Sequence, residues 1–149
     1  MNVNCFLGAN SAGGFCSLYG GFCSGEGDFL HLIKAGPGGG KSGFMRRIAQ
    51  AAADHGYDTE CVLCSGDPDS LDGVYIPELH VGFMDATAPH AREPANFAYN
   101  SDYVNLGRLC GQISDPIIPR LTDKYRAMYK TAYAYLAAAG SVANAEIPG

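Results

Sequence analysis

One eight-residue stretch narrows the folds open to this chain more than any other. Ala35 to Ser42 read AGPGGGKS, between an apolar run, Phe29 to Ile33, and a helix-periodic stretch that begins at Phe44. Strand, glycine turn and helix N-terminus in that order make a cradle for phosphate. Backbone N–H groups converge on an anion only where glycine torsions let the chain curl, and the helix end adds partial positive charge. Gly38, Gly39 and Gly40 supply the torsions, and Ala35, Gly36, Pro37 and Gly43 complete the segment expected to line a nucleotide. Lys41 would reach the β- and γ-phosphates of a nucleoside triphosphate, and the Ser42 hydroxyl would ligate Mg²⁺. Alanine rather than glycine at position 35 is a small departure, because the cradle depends on the later glycines and the lysine. The competing reading is a glycine-rich linker with a chance lysine; the flanking strand and helix patterns weigh against it.

With 149 residues, 47% of them hydrophobic, the chain suits one domain over 1–149 with a single core. Its net charge is −5 and its basic residues are dispersed, so electrostatic capture of nucleic acid is not indicated. No apolar run is long enough to span a bilayer, and residues 1–25 lack a charged segment followed by a continuous apolar core. A cytoplasmic protein without membrane attachment is expected. The six cysteines are then expected to be reduced. Cys61 and Cys64 form a CxxC within an apolar run: either a zinc site with His80, His90 or Cys110, or buried thiols acting as small hydrophobes.

Residues 1–28 read as a strand, Val3 to Leu7, followed by a weak, glycine-rich helix over FCSLYGGF capped by Ser11. Residues 29–90 form the nucleotide-binding core. Phe29 to Ile33 is its central strand, Ser42 to His55 a helix stopped by Gly56, and Asp58 to Cys64 and His80 to Asp85 two further strands. This order implies parallel pairing with right-handed crossovers. SGDPDSLDGVYIPEL, between the last two strands, is expected to fold across the mouth of the site, and 91–115 is irregular. Over 116–140 a long covering helix, starting at Pro116 or Pro119, carries Leu121, Tyr125, Met128, Tyr129, Ala132, Leu136 and Ala139 on one stripe and ends at Gly140. The expected fold is therefore a P-loop NTPase-like three-layer α/β architecture with a mostly parallel, incomplete sheet and a long C-terminal helix.

A triphosphate site needs a carboxylate near Mg²⁺ at the C-terminal end of a neighbouring strand, and VGFMD provides Asp85 as a Walker B type residue. The alternative is a strand-end aspartate capping the next turn. Thr87 and His90 follow closely, with His90 a candidate base or γ-phosphate sensor. Arg92 is the candidate cation for a transferring phosphoryl group. Asp67, Asp69 and Asp72 lie where open α/β sheets place ligands. They would bind metal-linked water or, with Asp67 as base, a phosphoryl acceptor; alternatively Asp67-Pro68-Asp69 is only a turn.

Taken together, SAGGFCSLYGGF, AGPGGGKS, GDPDSLDGVYIPEL, VGFMDATAPH, VNLG and AYAYLAAA resemble a little-characterised bacterial family of P-loop ATPases, from about Asn4 to Gly140. DPDSLDGVYIPEL joined to DATAPH is the most distinctive part. Longer members look like tandem duplications of two such units, and this chain resembles one of them. The resemblance implies ATP binding and hydrolysis without a defined substrate. A small-molecule or nucleotide kinase, or a nucleotide-sensing module without turnover, are the alternatives. Few strands are visible for a stable sheet, so its edge is expected to be covered by a second copy of the chain, by a missing second half, or by the C-terminal helix.

Overall fold

The computed structural model describes residues 2–87, 100–110 and 116–146. In chain order its elements are β1 (Asn2–Cys5), β2 (Gly8–Ser11), β3 (Gly14–Ser17), β4 (Phe29–Lys34), α1 (Lys41–Asp54), β5 (Thr59–Leu63), β6 (Leu71–Ile76), β7 (Val81–Asp85), β8 (Ser101–Asn105), the single-turn α2 (Gly107–Cys110) and α3 (Ile117–Glu146). The chain divides into two units, Met1–Leu7 with Ser17–Ile113 and Gly8–Cys16 with Ser114–Gly149.

The first unit is built on a six-stranded sheet in the order β1-β5-β6-β7-β4-β8. β1 runs parallel to β5, and β4 runs parallel to both β7 and β8, but β6 is antiparallel to both of its neighbours. The sheet is therefore mixed, and the expectation of a P-loop NTPase-like fold with a mostly parallel sheet is overturned. The physical reason lies within DPDSLDGVYIPEL, whose residues 71–76 form an internal strand, β6, and not a cover over the site. It joins β5 through 64–70 and β7 through 77–80. Connections this short cannot cross a sheet face, since parallel neighbours need a crossover of a dozen or more residues, so β5, β6 and β7 form a meander.

Helix α1 lies on one face, where Met45 packs with Cys61, Leu71 and Val74 in a buried cluster flanked by Ile48 and Phe83. Leu32, Ile33, Val62, Val74 and Met84 are fully buried. Each such side chain contributes about 1.5–3 kcal/mol of transfer free energy. Segment 18–24 packs against the sheet at two glycines. A Cβ at Gly73 would lie 3.1 Å from the Phe22 ring, and one at Gly82 would lie 2.7 Å from Cys23 Sγ.

The second unit pairs the β2–β3 hairpin with α3. Ser11 does not cap a helix; its hydroxyl donates to Gly14 O at 2.8 Å and accepts from Gly13 N, closing the hairpin turn. Where a weak helix was expected there are β3 and one 3₁₀ turn, Tyr19–Gly21. Gly140 does not end α3 either. It is a packing position, where an added Cβ would come within 2.6 Å of Ala12 Cβ, and the helix continues to Glu146. No described helix is long and apolar enough to cross a membrane.

Candidate functional site

Strand β4 ends at Lys34 and α1 begins at Lys41, so the glycine stretch is the whole connection between them. Gly38 and Gly40 have φ of 71° and 78°, the left-handed region in which an L side chain is strained. Gly39 is constrained by space instead: a Cβ there would lie 2.7 Å from Ala35 Cβ and 2.8 Å from Gly36 O. Its amide donates to Gly36 O at 3.0 Å, which tightens the turn. No side chain caps the N-terminus of α1, and its first turn holds no acidic residue. The helix end is thus left electropositive.

Lys41 folds back over the loop. Its Nζ donates to Ala35 O at 3.0 Å and Gly36 O at 3.3 Å and lies 3.6 Å from Asp85 Oδ2. The sheet register makes this possible: Ile33 pairs with Asp85, and Ala86 N donates to Ile33 O at 2.9 Å, so the end of β7 lies beside the start of the loop. Both partners are mostly buried, at 13% side-chain exposure each. Asp85 Oδ1 accepts from the Thr87 amide at 2.8 Å and from the Thr87 hydroxyl. The turn-capping role and the position facing the lysine therefore belong to different oxygens of one carboxylate. Ser42 Oγ accepts from Leu71 N at 2.9 Å, which ties the loop to the start of β6 and leaves the hydroxyl a second lone pair.

A second acid stands next to this group. Between the Val62–Gly73 and Leu63–Leu71 pairs the register skips Asp72, a bulge that sets two residues of β6 against one of β5. Asp72 is 4% exposed and accepts from the Tyr19 hydroxyl at 2.7 Å. Along β6 and β7, Asp72 and Asp85 are the next residues beyond the Gly73–Met84 pair. Burial, then the bond to Asp72, then the charges of Asp72, Cys64 and Asp85 push the Tyr19 phenol far above its ordinary value. Tyr19 is therefore a permanent donor. It was missed in the sequence because Tyr-Gly-Gly-Phe carries no periodicity.

The other expected site residues are dispersed. Asp67 lies in the exposed β5–β6 turn, where its carboxylate accepts from Ser70 Oγ at 2.6 Å and its carbonyl from Ser70 N at 2.8 Å. The Arg46 guanidinium donates to the Asp69 carbonyl. Asp67, Asp69 and Asp72 thus do not converge. His90 and Arg92 lie outside the described residues. Burial pushes the Cys61 and Cys64 thiols up, as expected of thiols kept protonated. Among the described residues no group of three or more His, Cys, Asp or Glu side chains is placed to hold a metal ion.

At the opposite end of β4 a separate polar knot forms. Asp28 Oδ1 accepts from Tyr75 Oη at 2.8 Å and meets His80 Nδ1 at 3.1 Å, while Oδ2 accepts from Gly25 N at 2.8 Å. Burial alone would raise this acid, but the bonds from Tyr75, Gly25 and His80 hold it below the usual carboxylate range. Burial, then Asp28, push the Tyr75 phenol up to about 12. Beside the knot is a cavity of about 450 Å³, lined by Cys5, Phe22, Cys23, Asp28, Glu60 and Tyr75 among others.

No family model, no curated protein and no solved structure matches the chain.

Proposed function

We propose that the chain binds ATP with Mg²⁺ at the 35–43 loop and hydrolyses it slowly. The observation that carries this reading is the Lys41 ammonium, held by two loop carbonyls and facing Asp85 Oδ2 at 3.6 Å. That separation is too long for a good hydrogen bond. It leaves an oxygen and a cation side by side, each able to take a ligand of opposite charge. Lys41 would exchange the Ala35 and Gly36 carbonyls for β- and γ-phosphate oxygens, and the uncapped amides at the start of α1 would receive the rest of the anion.

Ser42 and Asp85 would hold the metal. Mg²⁺ normally takes one or two protein oxygens and completes its shell with phosphate and water, so a preassembled cage of carboxylates is not required. When bound, it would neutralise charge between the phosphates. Everything else falls to this chain: Gly39 keeps the loop close enough to wrap the anion, and Thr87 holds the plane of the Asp85 carboxylate. Phosphoryl transfer depends mostly on such positioning and charge stabilisation, so turnover by an isolated chain would be slow. The motif likeness to an ATPase family supports ATP as the nucleotide.

Calorimetry with Mg²⁺ and a non-hydrolysable ATP analogue tests the proposal. Lys41→Ala is expected to weaken binding about a hundredfold or more, roughly 3 kcal/mol. Parent protein that binds no nucleotide, or a variant with unchanged affinity, removes the assignment.

A further inference from the structure

Helix α3 carries a second pattern independent of nucleotide binding. Ile118, Tyr125, Ala132 and Ala139 alternate with Leu121, Met128, Tyr135 and Val142 at spacings of three and four, the a and d positions of four heptads. The hairpin of the same unit takes a different face of the helix, where the Tyr133 hydroxyl donates to Asn10 Oδ1 and Gly140 meets Ala12. Along the a/d seam Leu121 is 55% exposed, Met128 64%, Tyr135 74% and Val142 59%, while Ile118 is half-buried and Tyr125, whose ring packs on Tyr129 at 4.6 Å, is 53% exposed. The five exposed side chains present on the order of 700 Å² per helix, close to the ~800 Å² that each partner brings to a standard interface.

We propose that α3 is a self-association surface on which two copies of this chain pair their helices antiparallel, centred near residue 130. In that register Ile118 meets Val142 of the second copy, Leu121 meets Ala139, Tyr125 meets Tyr135 and Met128 meets Ala132. Small residues oppose large ones in two layers and ring opposes ring in a third, so the seam complements itself under a two-fold axis. A parallel pair would stack Ala132 on Ala132 and Ala139 on Ala139, leaving two hollow layers in a core that needs close packing. The partner that fits the seam is thus a second copy, joined through the helix and not through the sheet edge.

Sedimentation velocity on the full chain over a wide concentration range tests this, with circular dichroism as a check on folding. The parent is expected to form a concentration-dependent dimer. Met128→Glu and Leu121→Glu are each expected to weaken association about a hundredfold with helix content kept. Adding Ala139→Lys to Leu121→Glu should recover the dimer, because the new carboxylate at position 121 then faces the new ammonium at position 139 of the other copy in both of the layers next to the ends. A parent that stays monomeric at every concentration, including one whose α3 amides are protected from exchange by its own sheet, overturns the proposal. So does a dimer that survives Met128→Glu, or a double variant no better than Leu121→Glu alone.

Discussion

Asp28 and Asp85 are both buried carboxylates at the margins of one sheet, and their surroundings differ in a way that separates structure from chemistry. Asp28, just before β4, has donors from three directions on its two oxygens: a phenol, an imidazole and a backbone amide. Asp85, at the end of β7, has one oxygen fixed by Thr87 and the other facing an ammonium beyond hydrogen-bond length. Asp28 receives donors at hydrogen-bond length on both oxygens, which offset its desolvation through folding. Asp85 keeps its hydrogen bonds on one oxygen and presents the other to an ammonium at 3.6 Å beside an uncapped helix end, the arrangement on which the proposed binding of nucleotide rests.

The largest expected effects test this division directly. Lys41→Ala should lose nucleotide binding by the hundredfold or more given above, together with about 1–3 kcal/mol of stability, because the mostly buried Asp85 carboxylate is left without its ammonium. Asp28→Ala should cost stability alone. Leaving the Tyr75 hydroxyl and Gly25 amide without an acceptor costs about 2–4 kcal/mol, and nucleotide affinity of the folded fraction should stay at the parent value. Urea titration and calorimetry on the same preparations separate the two. The Asp28 knot also fixes the sign of an acid effect. Its acid is held below the ordinary value, so its stabilisation is present above about pH 4 and drains away as pH falls through the lowered value. Asp28→Asn should flatten that part of the profile; a variant as acid-sensitive as the parent would move the effect to another carboxylate.

Much of the loop side of this comparison was legible, and most of the knot was not. AGPGGGKS announces its own torsions, and an apolar strand ending in Asp85 announces a neighbour, because both signals are local. Leu71 to Ile76 defeated the same logic for a physical reason. The bulge at Asp72 shifts the alternation by one residue, so Leu71, Val74 and Ile76 fall out of period although all three are buried. An aspartate and a glycine inside that run argue against a central strand until Tyr19 and Phe22, some fifty residues earlier, are seen to pack on them. β8 was hidden in the same manner, since Ser101 to Asn105 is polar and reads as loop unless β4 is known to lie beside it. Asp28, Tyr75 and His80 share no motif and meet only through the β6–β7 meander. A mixed sheet thus cannot be read from the spacing of its strands when its strand pairing depends on connections that look like surface loops.

An intermediate effect is expected at Gly39, where the two regions can be compared by a single methyl. Gly39→Ala places a Cβ 2.7 Å from the Ala35 methyl and 2.8 Å from Gly36 O, so the loop must open to admit it. Affinity for Mg²⁺ and ATP should fall about tenfold, roughly 1.4 kcal/mol, with stability little changed because the loop lies outside the packed core. The pair Ala35→Gly and Gly39→Ala removes one of the two clashes and should recover part of the loss. Recovery to the parent value would mean that the Gly36 carbonyl yields freely, and no recovery would mean that it sets the loop.

The smallest effect is expected at His80, and it sharpens what holds the knot together. His80 has φ of 52°, a left-handed conformation costly for a residue with a Cβ, and its side chain is 60% exposed where it meets Asp28. A pair screened by solvent on its imidazole side contributes at most about 1 kcal/mol, and relieving a left-handed torsion with glycine returns a similar amount. His80→Gly should therefore unfold within about 0.5 kcal/mol of the parent in urea. A loss of about 2 kcal/mol or more, on the order of an orphaned buried donor, would make the imidazole an essential partner of Asp28 instead of its outermost donor. A net gain would mean that the torsion at position 80 strains the fold more than the imidazole supports it, leaving Tyr75 and the Gly25 amide to hold the acid on their own.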